Sequence, residues 1–323
     1  MTIAVQAGSV GREGILISSY AASPAHSSWD PELEGELLPA LCSLPGVVGL
    51  EVPWLGRVHP HDDAWFLRNV PAGARLALTP LPYVMRRCAA DPQYGIASRN
   101  AAGRASALED MQRLAADVRM LTEQSGAEVA LVALHTAPSA AADGAALQDS
   151  LHEIAGYDWS GAQLVIEHCD TIMPDRPFEK GFLPLADEIE AISATNTPIG
   201  MWLNWGRSII ELRDADAVTA QISAVADSGY LTGLTFSGAA ASDGPYGAAW
   251  LDAHLPVLSA DPESGSLLDD AHVGTAISAA GAVPWLGMKV SRRPSDRSAA
   301  DVTRTVASNL GVLERMRAAG SRA

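Results

Sequence analysis

Glu167, His168 and Asp170 stand close together at the end of the segment Gln-Leu-Val-Ile-Glu-His-Cys-Asp, residues 163–170. A carboxylate beside an imidazole is suited to moving protons, because both groups change protonation state within a few pH units of neutrality. The apolar, β-branched lead-in reads as a strand buried on both faces. Successive side chains of a strand point to opposite faces, so Glu167 and His168 cannot both face one site. If Glu167 faces inward, His168 packs under a helix.

Other apolar runs end the same way. The second run offers Glu51 in Gly-Leu-Glu-Val-Pro-Trp, and the fourth His135 in Val-Ala-Leu-His-Thr. The sixth offers Asn204, followed by Trp205 and Arg207, in Leu-Asn-Trp-Gly-Arg. The seventh offers Ser237 in Thr-Phe-Ser-Gly, and the eighth Lys289 in Leu-Gly-Met-Lys-Val. The basic residues are nearly all arginine, so a lysine at a strand end stands out. Carboxylate, imidazole, amide, hydroxyl and ammonium together suit a hydroxylated, carbonyl-bearing small molecule. Glu167, Lys289 and His135 are the expected catalytic groups; Asn204, Ser237, Glu51, His168, Arg207 and Trp205 are expected to bind substrate. Structural alternatives stand beside these roles: Glu51 pairing with Arg57, Asn204 and Ser237 satisfying loop amides, and Lys289 serving only as a counter-ion for Glu167.

The elements that must position these groups are eight β-type runs, near residues 15–20, 47–52, 75–81, 128–135, 163–169, 198–204, 231–237 and 283–290. Helix-period segments lie between them. Asp30-Pro31 opens the first, and Pro39 is expected to kink or shorten it. Residues 104–124 and 182–195 carry apolar side chains at i, i+3, i+4 spacing, Asp214 caps a further run, and Ser298 with Asp301 forms a capping box. Eight alternating units predict a parallel (β/α)8 TIM barrel, in one domain spanning residues 1–323. A doubly wound open sheet is weakened by the missing Gly-x-Gly-x-x-Gly turn.

Two connections, near residues 82–103 and 238–266, are long enough to be functional loops. They carry Tyr83, Arg86, Arg87, Tyr94, Asp243 and Tyr246. His59-Pro-His61-Asp62-Asp63 has metal-ligand residue types but reads as an exposed loop. Trp54, Trp205 and Trp250 lie near rim loops and could stack on a sugar face or sit in the core.

A net charge of −16 argues against nucleic-acid binding, which wants a basic footprint. No apolar run approaches the roughly 20 residues of a membrane span, and the N-terminus lacks the form of a signal peptide. Cys42, Cys88 and Cys169 are far apart and in no metal-ligand spacing, so neither a disulfide framework nor a metal cluster is expected. The expectation is a cytoplasmic protein acting on a small carbohydrate-like molecule, with no nucleic-acid or membrane partner and compatible with a homodimer.

Through its strand order, Gly-Leu-Glu-Val-Pro on the second strand and Val-Ile-Glu-His on the fifth, the chain resembles the xylose-isomerase-like barrel superfamily of sugar isomerases, epimerases and related lyases. Within it the chain is similar to a bacterial branch lacking the usual metal ligands. The resemblance implies a divalent metal held by glutamate, aspartate, histidine and glutamate from strands five to eight. At those places this sequence has Glu167, Asn204, Ser237 and Lys289, of which only the first matches. Neutral groups are weak ligands for a hard dication, and an ammonium repels it. The expectation is therefore no metal and no cofactor, with Lys289 supplying the positive charge. Two alternatives remain: a metal-dependent member whose ligands include Glu167, His168 and Asp170, and a non-catalytic sugar-binding barrel.

Overall fold

The computed structural model describes residues 11–24 and 28–320. Its strands are β1 (Gly14–Ser18), β2 (Val47–Pro53), β3 (Arg75–Thr79), β4 (Glu128–Leu134), β5 (Gln163–Glu167), β6 (Gly200–Asn204), β7 (Leu231–Phe236) and β8 (Trp285–Met288). They close into a barrel in the order β1 through β8. The pairing is parallel, with Leu50 opposite Leu76, Val132 opposite Leu164, and Leu234 and Ile15 both opposite Leu286. The (β/α)8 barrel expected from the alternating pattern is therefore the fold, and the open sheet is not.

The helices are α1 (Ser19–Ala22), α2 (Pro31–Cys42), α3 (Asp63–Asn69), α4 (Leu81–Ala90), α5 (Ala101–Gln124), α6 (Gly144–Ile154), α7 (Leu185–Thr195), α8 (Trp205–Leu212), α9 (Ala215–Asp227), α10 (Asp270–Ala280) and α11 (Ala299–Gly320). Asp30, Asp62, Asp143, Asp214 and Asp269 cap α2, α3, α6, α9 and α10 through their side-chain oxygens. Part of the chain's acidity thus sits at helix N-termini, where the aligned peptide dipoles favour negative charge. At α11 the Ser298 hydroxyl donates to Asp301, and the Asp301 amide donates back to Ser298 at 3.2 Å.

Three expectations need correction. Pro39 does not end α2, which continues to Cys42. The proline lies exposed in the last turn, where few backbone bonds remain to be lost, while Leu41 stays buried. The connection at 82–103 is not one long loop, because α4 occupies its first half. Pro82 lies in the first turn of that helix, where a proline starts a helix more readily than it breaks one. The His59–Asp63 segment is exposed at His61 but not throughout. His59 is buried against Phe66, and its Nδ1 accepts the amides of His61 and Asp62.

Contacts are densest within two parts of the chain, residues 1–48 with 202–323, and residues 49–201. In the second part, α4 residues expected on a loop are tied to α5 around Asp110, a buried carboxylate. Arg87 and Arg113 both bond to it, and the Tyr94 hydroxyl donates to it at 2.9 Å. Trp54 is buried there too, and its indole N–H donates to Asp117 at 2.7 Å, which makes it a core residue. In the other part, Trp202 donates through Nε1 to Thr235 at 2.8 Å, and its ring fills the space beside Gly233. A Cβ on Gly233 would stand 2.1 Å from that ring, so glycine is required there.

Asp110→Ala should destabilise the protein by about 3 kcal/mol, since it strands a buried phenol and two guanidinium groups. Ser298→Ala, which removes one cap, should cost about 1 kcal/mol. Urea unfolding followed by circular dichroism checks both; equal losses would show that Asp110 is no more than an ordinary surface acid.

Candidate active site

The barrel pleat sorts the polar groups of residues 49–201 into two layers. Leu134 pairs with Ile166, so His135 and Glu167 follow at neighbouring strand ends. His135 Nε2 lies 3.0 Å from Glu167 Oε2, and both side chains are shielded from solvent, at 0% and 4% exposure. One residue further on, the side chains turn the other way. His168 Nδ1 lies 2.8 Å from Glu188 Oε2 on α7, and the Thr136 hydroxyl donates to Glu188 Oε1 at 2.6 Å. The structure thus places His168 against the helix layer, not in the substrate-binding position expected of it. Asp170 is also committed, accepting the amides of Glu179 and Lys180 at 2.6–3.2 Å. Glu167, His168 and Asp170 therefore point in separate directions.

Glu51 is half-buried inside β2, which runs on to Pro53, so it is not the strand-terminal residue the sequence suggested. Arg57 bonds to Asp63 at 3.1 Å. Thr79 ends β3 and is 1% exposed; its hydroxyl has no hydrogen-bond partner among the described residues.

In residues 1–48 with 202–323, the ends of β6, β7 and β8 present Asn204, Ser237 and Lys289, each at most 1% exposed. Asn204 Oδ1 accepts the Gly206 amide at 3.0 Å and so caps α8. That bond fixes the plane of the amide, and its Nδ2 has no partner among the described residues, nor does the Ser18 hydroxyl at the end of β1. Lys289 is held in register by its own amide, which donates to Phe236 O at 2.9 Å. Its ammonium lies 4.6 Å from the centre of the Tyr20 ring, a cation–π contact.

Arg207 is buried and donates from Nε to Asp252 Oδ2 at 3.0 Å. Asp252 Oδ1 lies 3.1 Å from His254 Nδ1, and the Ser237 hydroxyl lies 3.2 Å from the same nitrogen. Burial holds the His254 imidazole below its ordinary range, against the pull of Asp252, and Lys289 and Arg207 add to the depression. Trp205 faces the helices, its ring 5.6 Å from that of His272, so the substrate-stacking role is not its place. Trp250 is covered by the Arg213 guanidinium at 3.7 Å.

Sequence reasoning missed Asp252, His254 and Tyr20. Asp252 and His254 lie in the 238–266 connection, where attention fell on Asp243 and Tyr246. Those two stay within the connection, Asp243 accepting the Ala249 amide and Tyr246 donating to Asp261. The available signal was Asp-Ala-His on a long loop after a barrel strand.

A divalent cation needs several carboxylate, imidazole or other oxygen donors around one point. Among the described residues no group of three or more His, Cys, Asp or Glu side chains is arranged to hold one. The residues ending β6, β7 and β8 do not fit either: the Asn204 oxygen is used in capping, the Ser237 hydroxyl is bonded to His254, and Lys289 is a cation.

The barrel is shared with solved structures of low sequence identity. A D-allulose 3-epimerase from Methylomonas sp. matches with a TM-score of 0.60 at 13% identity, over 95% of this chain and 98% of that one. A xylose isomerase domain protein from Alicyclobacillus acidocaldarius matches with a TM-score of 0.54 at 16% identity, over 94% and 99%. At such identities the likeness is one of fold, and the fold is that of the xylose-isomerase-like barrels. An uncharacterized protein of Salmonella typhimurium strain LT2 is 34% identical over 272 residues, 83% of this chain and 85% of its own. The model of the family described as domain of unknown function DUF4862 matches residues 16–304. Matched over most of its length, the chain belongs to the DUF4862 family.

Proposed function

We propose that the protein is a metal-independent isomerase, epimerase or lyase acting on a sugar or sugar-derived carbonyl compound, with proton abstraction beside the carbonyl as its central step. The observation that carries this reading is the His135–Glu167 pair, a buried carboxylate bonded to an imidazole at neighbouring strand ends. In (β/α)8 barrels such ends are where chemistry is done. The solved barrels of this fold that bear sugar-epimerase names support the substrate class.

Glu167 is the base in this reading. It takes the proton from the carbon next to the carbonyl, the C–H electron pair becomes the enolate double bond, and negative charge collects on oxygen. His135 orients the carboxylate and shares its proton. Lys289 supplies the positive charge that favours the enolate, the work a Lewis acid does in metal-dependent enzymes. Asn204 Nδ2 and the hydroxyls of Ser18 and Thr79 are buried polar atoms without hydrogen-bond partners among the described residues; donors and hydroxyls of this kind suit the oxygens of a sugar. A cytoplasmic setting is part of this reading; Cys42, Cys88 and Cys169 form no disulfide, and no described helix is long and apolar enough to cross a membrane.

Incubation with a panel of pentoses, hexoses, their ketoses and their acids in D2O, read by NMR, should show deuterium entering beside the carbonyl of at least one compound. Glu167→Gln keeps the shape of the side chain and should lower that exchange by about 10²–10⁴-fold. Unchanged exchange in that variant would remove Glu167 as the base. Prolonged chelation should leave both exchange and melting temperature unaltered, whereas loss of exchange restored by manganese, cobalt, zinc or magnesium would return the protein to metal-dependent chemistry.

A further inference from the structure

We infer that Ser18 is a further catalytic residue, whose hydroxyl joins the Lys289 ammonium in binding the enolate oxygen. The inference rests on the enolate chemistry proposed above and gives that oxygen a second, neutral donor.

The register of the strands in residues 1–48 with 202–323 brings the two groups together. Trp202 donates to the Thr235 hydroxyl, and a Cβ on Gly287 would collide with that hydroxyl, so β6, β7 and β8 turn these three positions to one face. Leu16 lies opposite Gly287, which carries the same face onto β1. Side chains two residues apart along a strand share a face, so Asn204, Ser237, Lys289 and Ser18 form the next row, at the strand ends. Within that row Ser18 and Lys289 are neighbours, because Ile17 pairs with Met288 and each of the two follows directly. Adjacent strands lie about 4.8 Å apart, close enough for both side chains to meet one oxygen atom. Both residues are at most 1% exposed. Tyr20, two residues beyond Ser18, lies against the Lys289 ammonium. One short stretch of chain thus supplies both the ring that holds the cation and the hydroxyl at the neighbouring strand end.

The hydroxyl is uncommitted where a serine is ordinarily committed. Ser18 stands at the N-cap of α1, where a serine side chain usually accepts an amide of the first turn. Here it makes no such bond, and among the described residues its Oγ has no other partner. Leaving a buried hydroxyl unmatched is costly, and a ligand oxygen supplies the match. The rest of the row differs. The Ser237 hydroxyl lies 3.2 Å from His254 Nδ1, and Asn204 stands two strands from Lys289, with β7 between. Ser18 is therefore the member of the row that is both next to Lys289 and unspent.

When the base removes the carbon-bound proton, the C–H pair becomes the carbon–carbon double bond and the carbonyl π pair moves onto oxygen. Ser18 and Lys289 each donate a hydrogen bond to that oxygen and keep their protons, so no electron leaves the substrate and neither group is consumed. Lys289 supplies charge, and the Ser18 hydroxyl fixes the direction from which the oxygen is met. One preorganised donor of this kind is worth about 10²–10³-fold in rate.

Ser18→Ala tests it. In the D2O assay deuterium exchange should fall by about 10²–10³-fold. The variant should melt at or above the temperature of the parent, because removing a buried hydroxyl that has no partner breaks no bond. Unchanged exchange overturns the assignment, and so does lost exchange accompanied by a lowered melting temperature, which marks a structural role. The site is read without turnover in full-length protein carrying lysine labelled with 13C at Cε. The chain has two lysines, Lys180 and Lys289, and Lys289→Arg tells their signals apart. Glycolohydroxamate, whose anion mimics an enediolate, should move the Lys289 signal, and Ser18→Ala should weaken that binding by at least about tenfold. No movement in the parent, or equal binding by the variant, overturns the assignment. If no compound of the panel exchanges deuterium, the proposed function falls, and hydroxamate binding still decides whether Ser18 and Lys289 share a ligand oxygen.

Discussion

The constraint on which this structure depends is the strict alternation of side chains along a strand, combined with the cost of burying charge. His135 and Glu167 end neighbouring strands and meet on one face, while Thr136 and His168 turn to the other. Each face then has to solve the same problem, because a carboxylate taken out of water costs several kcal/mol unless it is paired or hydrogen-bonded. On the helix side Glu188 meets both His168 and Thr136, and the result is a latch between β5 and α7. On the inner side Glu167 meets the His135 imidazole instead. Residues adjacent in sequence acquire different partners through nothing more than the pleat.

The same cost shapes the end of β7 and its connection. Arg207 and His254 are buried and the Asp252 side chain is 7% exposed; Arg207 bonds to Asp252, which lies 3.1 Å from the His254 ring. Such a chain of buried partners is stable only if the backbone is held to fit it, as it is by two backbone bonds between Gly238 and Leu255 and by the bonds from Ser291 to Ala253 and His254. A long connection is usually the mobile part of a barrel rim. Here its middle is bonded to two strand ends, and Tyr246 and Arg293 tie its later part to Asp261.

In the reading proposed above a cation stands in place of a metal, which changes what the strand ends must supply. A dication is held by several anionic or imidazole donors, which are then unavailable for proton transfer. Lys289 is covalently attached, and its contact with Tyr20 occupies a ring face instead of a carboxylate. In that reading the neighbouring positions have no ligand duty. Asn204 can spend its oxygen on capping α8, and Ser237 can face His254. The neutral residues that look like losses beside a metal-binding barrel are consistent with a site organised around an ammonium.

Much of the fold is legible in the sequence because its signals are local. Apolar runs of strand length, Asp caps, Pro31 at a helix start and the Ser298–Asp301 box act within a few residues, and the barrel follows from their alternation. The helix at Leu81–Ala90 was obscured because its proline and arginines read as loop, although a proline in the first turn is a start signal. Pro39 was misjudged because only burial of Leu41 shows that the last turn is worth keeping. By itself the sequence placed His135, Glu167, Asn204, Ser237 and Lys289 at the ends of their strands, though it misplaced Glu51, and it narrowed Glu167 and His168 to opposite faces. Only the tertiary structure decided which face each took, that His168 belongs to Glu188, and that Asp252 and His254 return to the end of β7. Those partners lie up to 45 residues apart, and contacts across such separations are set by packing and by matching buried charges, which leave no local pattern.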